Sequence, residues 1–126
     1  MPCSYKIYKD RRLVASLAFG EFTFAEGMAH EDRLYSDPDF DPTFDHLVDA
    51  TPLTKADLSA SELASLARRR MFAPMSRKAI VVNSTFFYGL ARMYEAYLQL
   101  SGSAESTGIF KEMTKAREWL GIDFEL

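Results

Sequence analysis

The sequence predicts a single α/β domain over residues 1–126, built on a mixed, mostly parallel sheet of about five strands with about four helices. Two observations lead to this fold class. Short apolar runs alternate along the chain with segments whose apolar residues recur at helical spacing. The 126 residues are also 48% hydrophobic, which is enough to fill one core. Strands that alternate with helices need right-handed crossovers, so most strands should run parallel after an antiparallel hairpin at the start.

The first half of the chain contains the predicted hairpin, one helix and a third strand. Residues 4–9 alternate polar and apolar, and residues 13–19 form an apolar run, so both segments predict strands. Thr23 has capping-box spacing to the glutamate three residues later and begins a helix that should stop before Pro38. A rigid polar loop then leads to a strand over residues 44–50.

The second half is predicted to alternate helix and strand. Ser59 opens a capping box for a second helix that ends in the arginines of residues 68–70. Residues 77–83 include four consecutive apolar residues, as expected of an inner strand covered on both faces. A third helix should end at Gly102, and the chain finishes with a strand over residues 106–110 and a fourth helix.

Composition favours an intracellular protein that does not bind nucleic acid. Cys3 is the only cysteine, which is typical of a reducing compartment, so we expect a cytoplasmic protein. The N-terminus lacks the basic-then-apolar order of a signal peptide, and no apolar run approaches the roughly 20 residues that span a bilayer. The net charge of −3 and the pI near 5.4 would repel a phosphate backbone. We therefore expect no membrane insertion and no nucleic-acid partner.

Familiar catalytic and metal-binding motifs are missing, so the sequence predicts no catalytic residues, no metal and no cofactor. The aspartates within residues 37–45 begin like a calcium loop, but Pro42 and Val48 stand where such a loop needs glycine and glutamate. No Gly-x-Ser-x-Gly elbow, phosphate-binding glycine loop or dinucleotide fingerprint occurs. Carboxylate chemistry stays open, because the spatial pairing of the Asp and Glu residues is unknown at this point.

The two histidines do not form a recognisable site in the sequence. His30 begins a zinc-protease pattern, but Leu34 stands where the second histidine would be needed. We expect both His30 and His46 to be at the surface or half-buried. The arginines of residues 68–70, with Arg77 and Lys78 nearby, are expected to form a basic surface cluster. This cluster either docks an acidic partner or an anionic head group, or simply favours the helix macrodipole and keeps the surface soluble.

The predicted third helix indicates two places where a ligand could bind. Ligands of open α/β sheets settle beyond the carboxyl ends of strands, which makes Asn83 and Ser84 the polar anchors for a small anionic ligand; helix capping is the alternative role. The helix also carries a stripe of aromatic residues and methionine that includes Tyr94 and Tyr97. This stripe either packs in the core, lines an apolar cavity or is buried against a second copy of the chain.

Three segments of local sequence point to a known fold. They are residues 76–82 (SRKAIVV), residues 88–95 (YGLARMYE) and residues 109–121 (IFKEMTKAREWLG). Together with the predicted order of elements, they resemble the SpoIIAA-like family, whose fold is shared by the STAS domains of anti-sigma-factor antagonists. The likeness covers most of the chain, and its segments are mainly structural.

The resemblance implies a regulatory serine. In the antagonists, a partner kinase phosphorylates a serine within an Asp-Ser-Ser-Gly signature at the start of a helix. The corresponding stretch here is residues 57–61 (DLSAS), which lacks the adjacent serines and the glycine. Ser59 and Ser61 are the candidate phosphoacceptors, and helix capping is the alternative role of Ser59.

Three functions follow from these observations. The first is a non-catalytic regulatory module, similar to STAS-type domains, that recognises a protein partner or a second copy of itself. The second is a carrier or sensor of a small apolar or lipid-like ligand, because lipid-carrier domains resemble this fold and the third helix could line a cavity. The third and weakest is an enzyme, because no nucleophile with a base and an orienting group can be assembled from the sequence.

Overall fold

A computed structural model of the protein describes residues 3–69, 71–101 and 106–126. Seven strands are present in the described residues: β1 Cys3–Tyr8, β2 Leu13–Ala18, β3 Gly20–Thr23, β4 Asp45–Asp49, β5 Leu53–Asp57, β6 Arg77–Val81 and β7 Ser106–Phe110. Four α-helices accompany them: α1 Phe24–Tyr35, α2 Ala60–Arg68, α3 Thr85–Leu100 and α4 Met113–Leu120. A short 3₁₀ helix, Lys9–Arg11, joins β1 to β2.

Five strands form the main sheet, in the order β1-β2-β4-β6-β7. Strands β1 and β2 are antiparallel, and every other neighbouring pair is parallel. The hairpin turns at Arg12, whose φ of 54° lies in the left-handed region. The predicted α/β class, the opening hairpin and the mostly parallel sheet are all confirmed.

A second sheet of two strands was not predicted from the sequence. Strands β3 and β5 pair in parallel, and the pairing begins where the Gly20 amide donates a hydrogen bond to the Pro52 carbonyl at 3.1 Å. Gly20 has a φ of +66°, which glycine adopts without strain, and the register shifts between Gly20 and Glu21. Each strand is short and carries few apolar residues, so neither has the alternation that marks a strand.

The predicted helix starts are confirmed by their caps. The Thr23 hydroxyl accepts a hydrogen bond from the Glu26 amide, and Ser59 and Glu62 form a complete capping box at the start of α2. Helix α2 ends at Arg68, and Arg69 is its C-cap. Two of the predicted ends, at Arg70 and Gly102, lie outside the described residues.

The helices cover both faces of the main sheet. On one face, Leu13, Leu47, Ala79 and Val81 pack against Ala116 and Leu120 of α4. On the other face, which we call the inner face, the strands pack against α1 and α3 through two further apolar clusters, and α2 packs against α1 and α3. Side chains alternate between the two faces along each strand, so the sequence of a strand fixes which of its residues face which helices.

Candidate functional site

Three polar residues occupy inner-face positions in three neighbouring strands. In β2 the inner-face set is Val14, Ser16 and Ala18, in β4 it begins with His46, and in β6 it begins with Lys78. His46 and Lys78 are directly opposite each other in the β4–β6 register. All three polar residues are buried, at 5–7% exposure. Burial of polar groups costs free energy unless they are hydrogen-bonded, so their position on the core face calls for a functional or structural reason.

Ser16 hydrogen-bonds to two imidazoles. Its Oγ lies 2.8 Å from Nε2 of His46 and 3.3 Å from Nε2 of His30, which projects from α1. A serine hydroxyl has one proton, so it donates to one ring and accepts from the other. The His46 ring is also stacked on Phe72, with centroids 4.8 Å apart. The result is a serine between two histidines at the boundary of α1 and the sheet.

Lys78 reaches from β6 towards α3. Its Nζ donates a hydrogen bond to the Tyr94 hydroxyl at 3.0 Å. This places a lysine ammonium group and a phenol beside the serine and histidines, and all of them line the same cavity.

The field at this site is unfavourable to further positive charge. Burial lowers the pKa of His30 from 6.5 to about 4, and the charges of Arg33 and Lys78 lower it further in the same direction. Burial, followed by the charge of Glu26, raises the pKa of the Cys3 thiol to about 11. At neutral pH, His30 is therefore an uncharged imidazole and Cys3 a thiol rather than a thiolate.

The polar residues line one end of a pair of adjoining cavities on the inner face. The polar cavity, of about 130 Å³, lies between the sheet, α1 and α3 and includes Ser16, His30, His46, Lys78 and Tyr94 in its wall. The apolar cavity, of about 150 Å³, lies under α2 and α3, and among the described residues of its wall only Tyr94 has a polar side chain. The two cavities share five wall residues, Ala18, Phe22, Val48, Leu66 and Tyr94.

One carboxylate also lines the polar cavity. Glu31 lies 3.4 Å from the guanidinium of Arg69, and Arg69 also pairs with Asp32. The ion pair with Asp32, together with the charge of Glu31, raises the pKa of Arg69. The negative charge of Glu31 is thus balanced at the rim by a cation from α2.

The predicted ligand residues are only partly brought together. Tyr94 lines both cavities, whereas Tyr97 is half-buried and belongs to neither wall. Ser84 caps α3 by accepting a hydrogen bond from the Phe87 amide, and the Asn83 side chain donates to the Thr51 carbonyl. Both contacts fit the capping and structural alternative, and a ligand at Asn83 or Ser84 stays a prediction.

The two candidate phosphoacceptors lie at the exposed start of α2. Ser59 accepts a hydrogen bond from the Glu62 amide and is thereby a helix cap, and its Oγ lies 3.4 Å from that of Ser61. Both side chains are accessible to a kinase. Their phosphorylation stays a prediction.

Two expectations about single residues were wrong. His46 is buried, at 5% exposure, and Lys78 is buried at 7% instead of joining a basic surface cluster. The signal that could have found them is the strand alternation itself. A residue two positions before Ile80 on a strand covered on both faces must also face the core, even when it is lysine.

Among the described residues, no three His, Cys, Asp or Glu side chains are grouped so as to hold a metal ion. None of the described helices is both long enough and apolar enough to cross a bilayer.

Comparison with solved structures identifies the fold. A crystal structure of an uncharacterized protein of the DUF3478 family from Shewanella loihica PV-4, described as having a SpoIIAA-like fold, matches 94% of this chain and 91% of its own, with a TM-score of 0.60 and 20% sequence identity. The chain has a SpoIIAA-like fold. No family model matches the sequence, and neither does any curated protein. The resemblance drawn from the three sequence segments is therefore confirmed at the level of the fold.

In this SpoIIAA-like fold, the paired cavities lie between the parallel strands and the helices that precede and follow β6. They are enclosed by α1, α2 and α3, while α4 covers the opposite face. The cavities are thus lined by the inner face of the sheet and the helices that cover it.

Proposed function

We propose that this protein is a non-catalytic binding module whose paired cavities hold a small apolar or lipid-like ligand. The observation that carries the proposal is the wall shared by the polar and the apolar cavity, which joins them between the sheet and α3. Ligand sites are usually concave and mostly apolar, with a few polar groups that fix orientation. The SpoIIAA-like fold is consistent with a binding role, and we place the protein in the cytoplasm because its single cysteine is a buried free thiol.

The serine and histidines support binding better than catalysis. Ser16 lies in the middle of β2 and is 7% exposed, and its hydroxyl is engaged by two imidazoles. Acyl transfer also needs preorganised donors aimed at the developing oxyanion. Helix N-termini are common sources of such donors, but the N-termini of α2 and α3 are capped by Ser59 and Ser84, outside the polar cavity.

Filling the apolar cavity tests this proposal. Ala91 of α3 lines the apolar cavity, so Ala91→Phe should place a ring where the ligand lies and abolish the binding of decanol, measured by native mass spectrometry and titration calorimetry. Ala60→Phe at the exposed first residue of α2 is the matched control and should leave binding unchanged. Thermal unfolding of both variants identifies any loss of binding caused by unfolding. Equal decanol binding by folded Ala91→Phe and the unaltered protein would contradict the proposal.

The outer face of α3 supports a second function, recognition of another protein copy. Five exposed residues follow the three-four spacing of a coiled-coil seam, and we call them the α3 seam: Phe86, Gly89, Met93, Ala96 and Leu100. Phe86 and Leu100 are 65% and 81% exposed, which is unusual for large apolar side chains in register on one helix. We propose that two copies pack seam to seam. Arg92 and Glu95, which pair within α3 at 3.4 Å, flank the seam and offer opposite charges to a second copy.

A further inference from the structure

We propose that the polar cavity is a carboxylate site, in which Lys78 and His30, with Ser16 holding the His30 ring in place, bind the head of a fatty-acid-like ligand whose chain lies in the apolar cavity. This inference rests on the proposed ligand-binding function and adds the chemical class of the ligand. The polar residues of the inner face would then act together to recognise the negatively charged head of the ligand.

The positions of the polar groups support a single head-group site. Ser16, His46 and Lys78 come from three adjacent strands: the register places His46 opposite Lys78, and Ser16 contacts His46 diagonally, from the next inner-face position along β2. His30 and Tyr94 approach the same group from α1 and α3, through the hydrogen bonds to Ser16 and Lys78. Groups held on strands and packed helices are positioned rigidly, which suits recognition of a small head group.

The types of the polar groups favour an anion that accepts hydrogen bonds. The ammonium of Lys78 is a donor with no acceptor capacity, and the Tyr94 hydroxyl, which accepts from Lys78, keeps its own proton to donate. Nδ1 of His30 is buried and has no hydrogen-bond partner in the described residues, so a ligand atom can satisfy it. Hydrogen bonds between a charged donor and a carboxylate are about twice as strong as neutral ones.

The charges around the site also favour a negatively charged ligand. Burial is the main reason that the pKa of His30 is lowered, and the positive charges of Arg33 and then Lys78, both near the ring, act in the same direction. The carboxylate that lines the polar cavity, Glu31, is held by Arg69 at the rim. A ligand cation would meet these positive charges, whereas a ligand carboxylate would be stabilised by them.

The geometry also explains the division between the two cavities. Tyr94 stands at the boundary: its hydroxyl accepts the hydrogen bond from Lys78, and its ring is part of the wall of the apolar cavity. A chain attached to a carboxylate near Lys78 would pass Tyr94 and run along Ile80 of β6 and Val82, which directly follows that strand. The alternation of one strand thus supplies both the head-group cation and the wall for the chain.

The test compares decanoate with decanol, which share a chain and differ in the head. We expect the unaltered protein to bind decanoate more tightly by about ten- to a hundredfold, the range expected of one charged hydrogen bond. Lys78→Met should remove this preference, so that decanoate and decanol bind with similar affinity. Lys115→Met, which removes an exposed lysine from α4, is the charge-matched control and should keep the preference.

A second readout does not depend on the folding of a variant. Decanoate beside His30 should raise the pKa of its imidazole from about 4, because a nearby negative charge favours the protonated ring, whereas decanol should not. The ring can be followed by nuclear magnetic resonance during a pH titration. The groups that surround it, and whose charge must be considered, are Cys3, Tyr5, Glu31, Arg33, His46 and Lys78.

The outcomes separate the inference from the function on which it rests. Equal affinity for decanoate and decanol, or an unshifted His30 on saturation with decanoate, would overturn the carboxylate site and leave the ligand-binding function standing. Binding of neither compound would overturn both proposals. Preference for decanoate that survives in folded Lys78→Met would place the anion elsewhere and contradict the assignment of Lys78.

Discussion

Single residues on the inner face give the proposed ligand site its chemistry. Ser16, His46 and Lys78 each take a position that an apolar side chain would fill with less cost in desolvation. Two of them contact each other, and the third contacts Tyr94. Their cost is offset in part by these hydrogen bonds, and the carboxylate proposed above would offset more of it.

His30 makes the stability of the protein dependent on pH. Its pKa is about 4 in the folded protein and near 6.5 when the chain is unfolded, so between these values the unfolded state binds more protons. The free energy of unfolding should therefore fall as the pH drops from about 6.5 to 4, by on the order of 2 kcal/mol for this residue. In His30→Gln this part of the slope should disappear, as measured by urea unfolding at a series of pH values.

The carboxylates provide an internal control for this experiment. Asp37 and Asp41 have lowered pKa values, because Asp37 accepts hydrogen bonds from the Asp39 amide and Tyr5, and Asp41 from the Thr43 amide and hydroxyl. The two aspartates lose their contribution to stability mainly below the pH range in which His30 titrates, and this loss should be the same in His30→Gln. If the free energies of unfolding of His30→Gln and of the unaltered protein fall in parallel from about pH 6.5 to 4, the role assigned to His30 is contradicted.

At the scale of elements, α3 has two faces with different tasks. Its inner side contributes Phe87, Leu90, Ala91 and Tyr94 to the apolar cavity, and its outer side presents the α3 seam. The sequence predicted an apolar stripe on this helix and left core, cavity and self-association as alternatives. The structure divides the residues of this stripe into a buried set and an exposed set: Phe87 is buried, while Phe86, its neighbour in sequence, is exposed.

Self-association through the α3 seam can be tested with one substitution. Met93 lies at the middle of the seam and is 42% exposed, so Met93→Glu should place like charges opposite each other in a two-fold pair and shift the protein to monomer. The molar mass should be measured by light scattering over a range of concentrations. Met75→Glu, at a methionine that is 71% exposed on a turn, is the matched control and should still dimerise. A strictly monomeric unaltered protein would rule out the seam as a self-interface.

The strands differ in how far the sequence predicts them, for a physical reason. β2, β4 and β6 are inner strands with apolar residues on both faces, and such runs are visible without knowledge of the fold. β3 and β5 form a small sheet of their own, and β5 has only Leu53 and Ala56 as apolar residues. Their pairing depends on the approach of two distant segments, which no local pattern reports.

At the scale of the whole molecule, the site arises from the register of the sheet. Ser16, His46 and Lys78 are about thirty residues apart in sequence, and only parallel pairing of β2 with β4 and of β4 with β6 brings them together. The predicted fold class was sufficient to place these strands in one sheet. It did not supply their order or register, and so the serine, the histidines and the lysine were not recognised as one group.

The two faces of the main sheet differ in how they are packed. The face under α4 is a closely packed apolar core in which Ala79, Val81 and Ala116 have no exposed surface. The inner face under α1, α2 and α3 contains the polar group and both cavities. Both faces thus contribute buried apolar residues to the core, and both cavities lie on the inner face.

The central claim is that a ligand enters the layer between the inner face and α3. It is tested most directly by amide proton–nitrogen correlation spectra of the protein titrated with decanoate. We expect shift changes that saturate and are concentrated at wall residues from several elements, such as Ala18, Gly27, Val82 and Ala91. Changes confined to the α3 seam, or none at concentrations that saturate the calorimetric signal, would show that the cavities do not take the ligand.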